Sequence, residues 1–186
     1  MKTALVLVDI QNDYFPGGRM ELSGMDAASA TAKNLLHFFR ENNWPTLHIQ
    51  HISAQKGATF FLPDTSGAEI HESIKPLEHE AVIQKHYPNS FRETDLYDHL
   101  TGAAIKNVVI CGAMSHMCID ATTRAAADLG FSCVVVHDAC ATRDLEFEGK
   151  TIPANHVHAS FMSALGMGYA RLLDFKDFLS YADKLK

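Results

Sequence analysis

The chain is 186 residues long, a length that fits one domain over residues 1–186. Its 47% hydrophobic and 20% charged residues suit a globular protein with a full core, and no run approaches the roughly 18 apolar residues of a membrane span. A formal net charge of −6, with Lys and Arg scattered along the chain, excludes a nucleic-acid partner, which needs a basic face.

In chain order, residues 3–9 read as a buried strand that runs straight into the carboxylate of Asp9. This apolar run lacks the small-residue cleavage site of a secretory leader. A helical pattern over 25–42 and a second strand over 45–51 follow. Residues 53–80 have no periodicity and are broken by Gly57, Pro63, Gly67 and Pro76. Loops of this length in a folded domain are more often lids than accidents. A strand over 81–85, a short helix over 95–100, a strand over 107–111 and a helix over 116–129 come next, the last closed by Gly130. The remainder reads as a strand over 132–137, an irregular stretch over 139–152, a helix over 153–165, a weak strand over 169–172 and a last helix over 176–184.

The strands at 81–85, 107–111 and 132–137 are apolar on consecutive positions, as expected where both faces of a parallel strand are covered. Strand–helix alternation predicts an α/β fold: three α-β-α layers around a parallel, Rossmann-like sheet of five or six strands. Right-handed crossovers then bring every strand's carboxyl end to one edge of that sheet. The four cysteines, Cys111, Cys118, Cys133 and Cys140, lack the C-x-x-C spacing of zinc or redox pairs. Cys111 and Cys133 read as small core hydrophobes, and the set points to a reduced, cytoplasmic setting.

Three reactive residues fall at that shared edge. Asp9 follows Leu5-Val6-Leu7-Val8, where a carboxylate is costly to bury without a partner. A loop acid bonding nearby amides is the plainer reading. Lys85 ends Ala81-Val82-Ile83-Gln84 in the same way, although most lysines simply reach to solvent. Cys118 stands in the first turn of the helix after the fourth strand, where free N–H groups and the dipole would stabilise a thiolate. Alone, it is as well explained by packing. Coincidence of all three at one edge favours chemistry, with Asp9 taking the thiol proton and Lys85 holding Asp9 charged.

These residues sit in three segments, Asp9-Ile10-Gln11-Asn12-Asp13-Tyr14-Phe15, Lys85-His86-Tyr87-Pro88-Asn89-Ser90-Phe91 and Gly112 through Thr122. In order and separation, the chain resembles the isochorismatase-like cysteine hydrolases, relatives of nicotinamidase and N-carbamoylsarcosine amidohydrolase, over essentially its whole length. The resemblance implies a catalytic triad of Asp9, Lys85 and Cys118. It also implies a cis peptide at Ala113–Met114 and an oxyanion hole from the amides of Met114 and Cys118. Nicotinamidases carry an Asp-x-His pair after the second strand that, with a later His, holds a metal. Here that place reads Gln50-His51-Ile52-Ser53. His48 and His51 face opposite sides of a strand, and His156 and His158 diverge on a helix, so no metal and no cofactor is expected.

For pocket walls the candidates are Phe15, Phe91, Met114, His116 and Phe147, with plain packing as the alternative for the rings and a helix cap for His116. Phe147, in the second irregular stretch, would cover its own site or a neighbouring subunit's. Asp138 reads as a structural, loop-ordering carboxylate. The expected partners are a small-molecule substrate and further copies of the chain, as a homodimer or larger, with no membrane. Three functions fit: a cysteine amidase on a small amide, ureide or carbamoyl compound, a vinyl-ether hydrolase of the isochorismatase type, or a binding module on a retired fold. The present cysteine favours the first.

Overall fold

The computed structural model describes residues 2–185, and in it the apolar runs pair side by side as parallel strands. The elements are β1 (Lys2–Val8), α1 (Met25–Glu41), β2 (Thr46–His51), β3 (Ala81–Lys85), α2 (Leu96–Gly102), β4 (Ile105–Ala113), α3 (Asp120–Asp128), β5 (Ser132–Ala141), a hairpin of β6 (Leu145–Phe147) and β7 (Lys150–Ile152), α4 (Ala154–Gly166), β8 (Ala170–Leu173) and α5 (Phe175–Tyr181). The main sheet has six parallel strands in the order β3-β2-β1-β4-β5-β8, flanked by helices as a three-layer α/β fold. β1 lies at the centre and connects outward to β2, whereas the chain returns to its other side with β4. That reversal opens a crevice at the carboxyl ends of β1 and β4.

Burial follows the pattern of side chains. From Thr3 to Val8 every residue of β1 is buried. On α1 the buried residues Met25, Ala28, Ala32, Leu35, Leu36 and Phe39 recur at three- and four-residue steps and form one stripe against the sheet. Phe38 and Phe39 meet Phe178 of α5 at ring distances of 5.5 and 6.0 Å, which places the two helices together. Asp138 has the structural role expected of it, since its Oδ1 accepts the Phe175 N–H at the start of α5.

Three expectations need correction. β3 is the edge strand, so Val82 and Gln84 are exposed and only alternate residues are buried. Four hydrophobic-to-neutral residues in a row did not signal cover on both faces. β5 runs on to Ala141, after a register shift between Ile110 and Gly112 of its partner β4, so the stretch taken as irregular begins in the sheet. The rest of that stretch is the β6–β7 hairpin. Its two-residue turn, Glu148-Gly149, has both φ angles positive, at 51° and 72°, as a tight hairpin turn requires.

Candidate active site

Asp9 follows the last residue of β1 with φ at 52°, in the left-handed region, and is fully buried. Lys85 ends β3 and is also fully buried. β2 lies between them, so the two strand axes stand about 10 Å apart and only a long side chain bridges the gap. The Lys85 Nζ reaches Asp9 Oδ2 at 2.8 Å and donates to the carbonyls of Tyr87 and Pro88 at 3.1 Å each. Burial alone would push this lysine down; the charge of Asp9 beside it, with help from Cys118, outweighs burial and keeps it raised. Apart from this ion pair, neither Asp9 oxygen takes a hydrogen bond among the described residues.

The cysteine arrives from β4. Gly112, aligned with Val8 of β1, has φ at +121°, and a Cβ there would collide with the Val8 carbonyl oxygen. Only glycine lets the two strands approach this closely. The Ala113–Met114 peptide is cis. The helix expected from residue 116 begins instead as a π-helical turn, Ser115–Ile119, whose Met114 carbonyl accepts from Met117 and Ile119 at 3.0 and 3.2 Å. Ser115 Oγ donates to the Ala141 carbonyl at 3.2 Å and lies 2.9 Å from His158 Nδ1. His116 Nδ1 lies 2.6 Å from Thr142 Oγ1, so the turn is tied to the end of β5 at two points. Cys118, in this turn, is 5% exposed, and Met114, which precedes the turn, is buried as well. Burial first, and then the charge of Asp9, push the thiol up to about 12 against the opposing pull of Lys85. The expected stabilisation of a resting thiolate at a helix start is thus overcome by desolvation.

Two neighbours escaped the reading of the sequence. His51, the last residue of β2, brings a ring nitrogen within 4.8 Å of both an Asp9 oxygen and Cys118 Sγ. Tyr14 is buried where its hydroxyl is pushed upward by burial and by the charges of Cys118, Asp9 and Asp13. A carboxylate, an imidazole and a thiol are donors that a transition metal accepts. Here the Lys85 ammonium already stands on that carboxylate, so a second cation would have to displace it or share it.

The long loop folds back over this edge. Gln11, fully buried, exchanges hydrogen bonds with the His51 backbone at 2.7 and 2.9 Å and donates to the Ala68 carbonyl at 2.8 Å. Asp13 accepts the Phe61 N–H at 2.6 Å and leaves no space for a Cβ at Gly67. Phe61 packs on Tyr14 with ring centroids 4.6 Å apart. Among the proposed walls, Phe15 is buried and stacks on His71 of the same loop at 3.6 Å. Phe91 packs instead against Phe131, which precedes β5 at the far edge of the sheet. Phe147 is 66% exposed on the hairpin, so within its own chain it closes no pocket. A cleft of about 540 Å³, lined by Arg40, Trp44, Leu77, His79, Glu80 and His99, lies at the amino ends of β2 and β3, away from Cys118.

Residues 3–155 match the isochorismatase domain. The Bacillus subtilis protein named uncharacterized isochorismatase family protein YddQ is 52% identical over 179 residues, 96% of this chain and 99% of its own. The ureidoacrylate amidohydrolase RutB of Acinetobacter baylyi is 25% identical over 174 residues, 75% of this chain and 70% of its own. Among solved structures, one assigned as an isochorismatase hydrolase from Oleispira antarctica superposes with a TM-score of 0.92 at 51% identity, covering 96% of each chain.

Proposed function

The chain belongs to the isochorismatase family of hydrolases, and from that premise we propose that it is a cysteine amidohydrolase of small molecules. The bond it opens is the C–N bond of an amide, ureide or carbamoyl group. The observation that carries this reading is the buried cluster itself: a fully desolvated Asp9–Lys85 ion pair at 2.8 Å, with Cys118 Sγ within 4.8 Å of the carboxylate. The match to a ureidoacrylate amidohydrolase supports the choice of bond.

In this reading Asp9 takes the Sγ proton as sulfur attacks the carbonyl carbon. The developing oxyanion is held by the backbone amides of Met114 and Cys118. Collapse breaks the C–N bond, the leaving nitrogen takes the proton from Asp9, and an acyl thioester stays on Cys118. Water then attacks that carbonyl, giving a proton to Asp9. Sulfur leaves and recovers the proton. Lys85, 2.8 Å away, balances the Asp9 charge and orients the carboxylate as the base. Met114 and His116 on the nucleophile turn, and Phe15 on the loop side, bound the substrate. Phe91 and Phe147 fit less well, the one by its packing and the other by its exposure.

The protein is further read as cytoplasmic, on its four unpaired thiols, and as a homo-oligomer, on the exposed Phe147 and Ile152 of the hairpin. Among the described residues no helix is long and apolar enough to cross a membrane. A panel of small amides, ureides and isochorismate, offered to wild type and Cys118→Ala, tests the function. Turnover of a C–N substrate that vanishes in Cys118→Ala, with an acyl adduct on Cys118 by mass spectrometry, is expected. Isochorismate cleavage that survives Cys118→Ala would assign the protein to vinyl-ether hydrolysis.

A further inference from the structure

His51 has a place in this cluster that packing does not explain. Its backbone is fixed twice by Gln11, and its ring rests against Phe61 at 5.9 Å. Neither ring nitrogen has a hydrogen-bond partner among the described residues. Yet one of those nitrogens lies within 4.8 Å of an Asp9 oxygen and of Cys118 Sγ together. Two acceptors that share one water, each about 2.8 Å from its oxygen at a near-tetrahedral angle, stand about 4.6 Å apart. The His51 nitrogen and the Asp9 oxygen thus lie no farther apart than about what one shared water spans, in reach of a carbonyl carried by Cys118.

We propose that His51 is a catalytic residue of the hydrolytic half-reaction, accepting a hydrogen bond from the water that Asp9 deprotonates. The inference rests on the cysteine amidohydrolase reading and adds a residue to it. One O–H of the water points to Asp9 and is broken, and the other points to the imidazole and is kept. A lone pair of the oxygen is thereby left facing the thioester carbon. The O–C bond forms, the C–S bond breaks, and the proton on Asp9 passes to Sγ. His51 neither gains nor loses a proton. Burial, and after it the nearby charges of Lys85 and His86 against that of Asp9, hold the imidazole below its ordinary range, which keeps an acceptor lone pair on the ring. In acylation, by contrast, Asp9 deals with the thiol and the leaving nitrogen without needing His51.

The two half-reactions separate in an experiment with 4-nitrophenyl acetate, which acylates the thiol and releases a coloured alcohol. Wild type, His51→Leu and His51→Gln are mixed rapidly with the ester, and the burst and the steady state are read. For His51→Leu we expect a burst rate within about three-fold of wild type and a steady state about 100-fold slower, the scale of a misplaced reacting group. Acetyl-Cys118 should accumulate in that variant, and His51→Gln, which restores an acceptor, should regain at least about ten-fold. Equal losses in burst and steady state, or no loss in either, would overturn the inference. So would zinc retained stoichiometrically by wild type and lost from His51→Leu, since His51 would then be a ligand. A wild type that shows no burst and no adduct while Cys118→Ala still turns over would instead remove the cysteine reading beneath it.

Discussion

Replacing Asp9 by Asn should make Cys118 more reactive and the enzyme inactive at once. Burial and the Asp9 charge together hold the thiol at about 12. The carboxylate stands within 4.8 Å of Sγ, and at an effective dielectric of about 20 one charge at that distance is worth about 3.5 kcal/mol, or about 2.5 pKa units. Without it the thiol would titrate near roughly 9.5, and its thiolate fraction at pH 8 would rise roughly 300-fold. A less basic thiolate is a weaker nucleophile, which returns roughly ten- to twenty-fold of that gain. The net expectation is roughly 20-fold faster labelling of Cys118 by methyl methanethiosulfonate. Peptide mass mapping would separate this site from Cys111, Cys133 and Cys140, whose thiols burial also pushes up. Turnover in the same variant should fall at least about 100-fold, because the base is gone. Labelling that is unchanged or slower in Asp9→Asn would refute the claim that its charge suppresses the thiolate.

Lys85→Met leaves the buried Asp9 carboxyl without its partner, so it should destabilise the fold by about 3–5 kcal/mol and lower the melting temperature by about 10 °C. The double variant with Asp9→Asn should melt higher than Lys85→Met alone; if it melts lower, the pair is not what calorimetry is reading. At the other edge, Glu80 is pinned by Arg40 at 2.7 Å and by His48 at 3.0 Å. Burial alone would raise its carboxyl, but the bonds from Arg40, the Leu77 N–H, Thr46 and His48 hold it at about 2. A carboxyl depressed on folding stabilises above its unfolded pKa and loses that stabilisation as pH falls through the folded value. Wild type should therefore lose up to about 3 kcal/mol relative to Glu80→Gln between about pH 5 and 2, less what solvent screens at the part-exposed Arg40. Parallel acid-denaturation curves for the two proteins would count against the pairing.

The residues of the cluster differed in how far the sequence betrayed them. Asp9 and Lys85 were legible because each is a charge placed directly after an apolar strand, where burial demands a partner. Cys118 was legible from its place after the fourth strand. Its π-helical turn was not, because the sequence there continues an ordinary helical pattern. His51 was set aside by asking which face of the strand it takes. That question was the wrong one: at a strand's carboxyl end, depth along the strand decides whether a residue meets the crevice. Tyr14 is easily passed over for Phe15, the extended residue that follows it at the end of a three-residue 3-10 turn. The chain turns extended between them, so the Tyr14 ring packs on Phe61 while the Phe15 ring stacks on His71 of the long loop.

A thiol held near 12 at first looks ill suited to a nucleophile. It follows from the same geometry that would let Asp9 act as the proposed base. A carboxylate close enough to receive the proton is close enough to repel the thiolate, and Lys85, which sits 2.8 Å from that carboxylate, offsets only part of the repulsion. Once the proton has moved to Asp9, the repelling charge is gone and the Lys85 ammonium is left facing the sulfur alone. In the proposed mechanism, proton transfer thus creates its own stabilising field, and the thiolate forms as a substrate carbonyl arrives to receive it. Between turnovers the sulfur stays protonated, 5% exposed and inert to stray electrophiles. This is also why Asp9→Asn is expected to separate reactivity from catalysis: it raises the resting thiolate fraction and removes the group on which the proposed proton transfer depends.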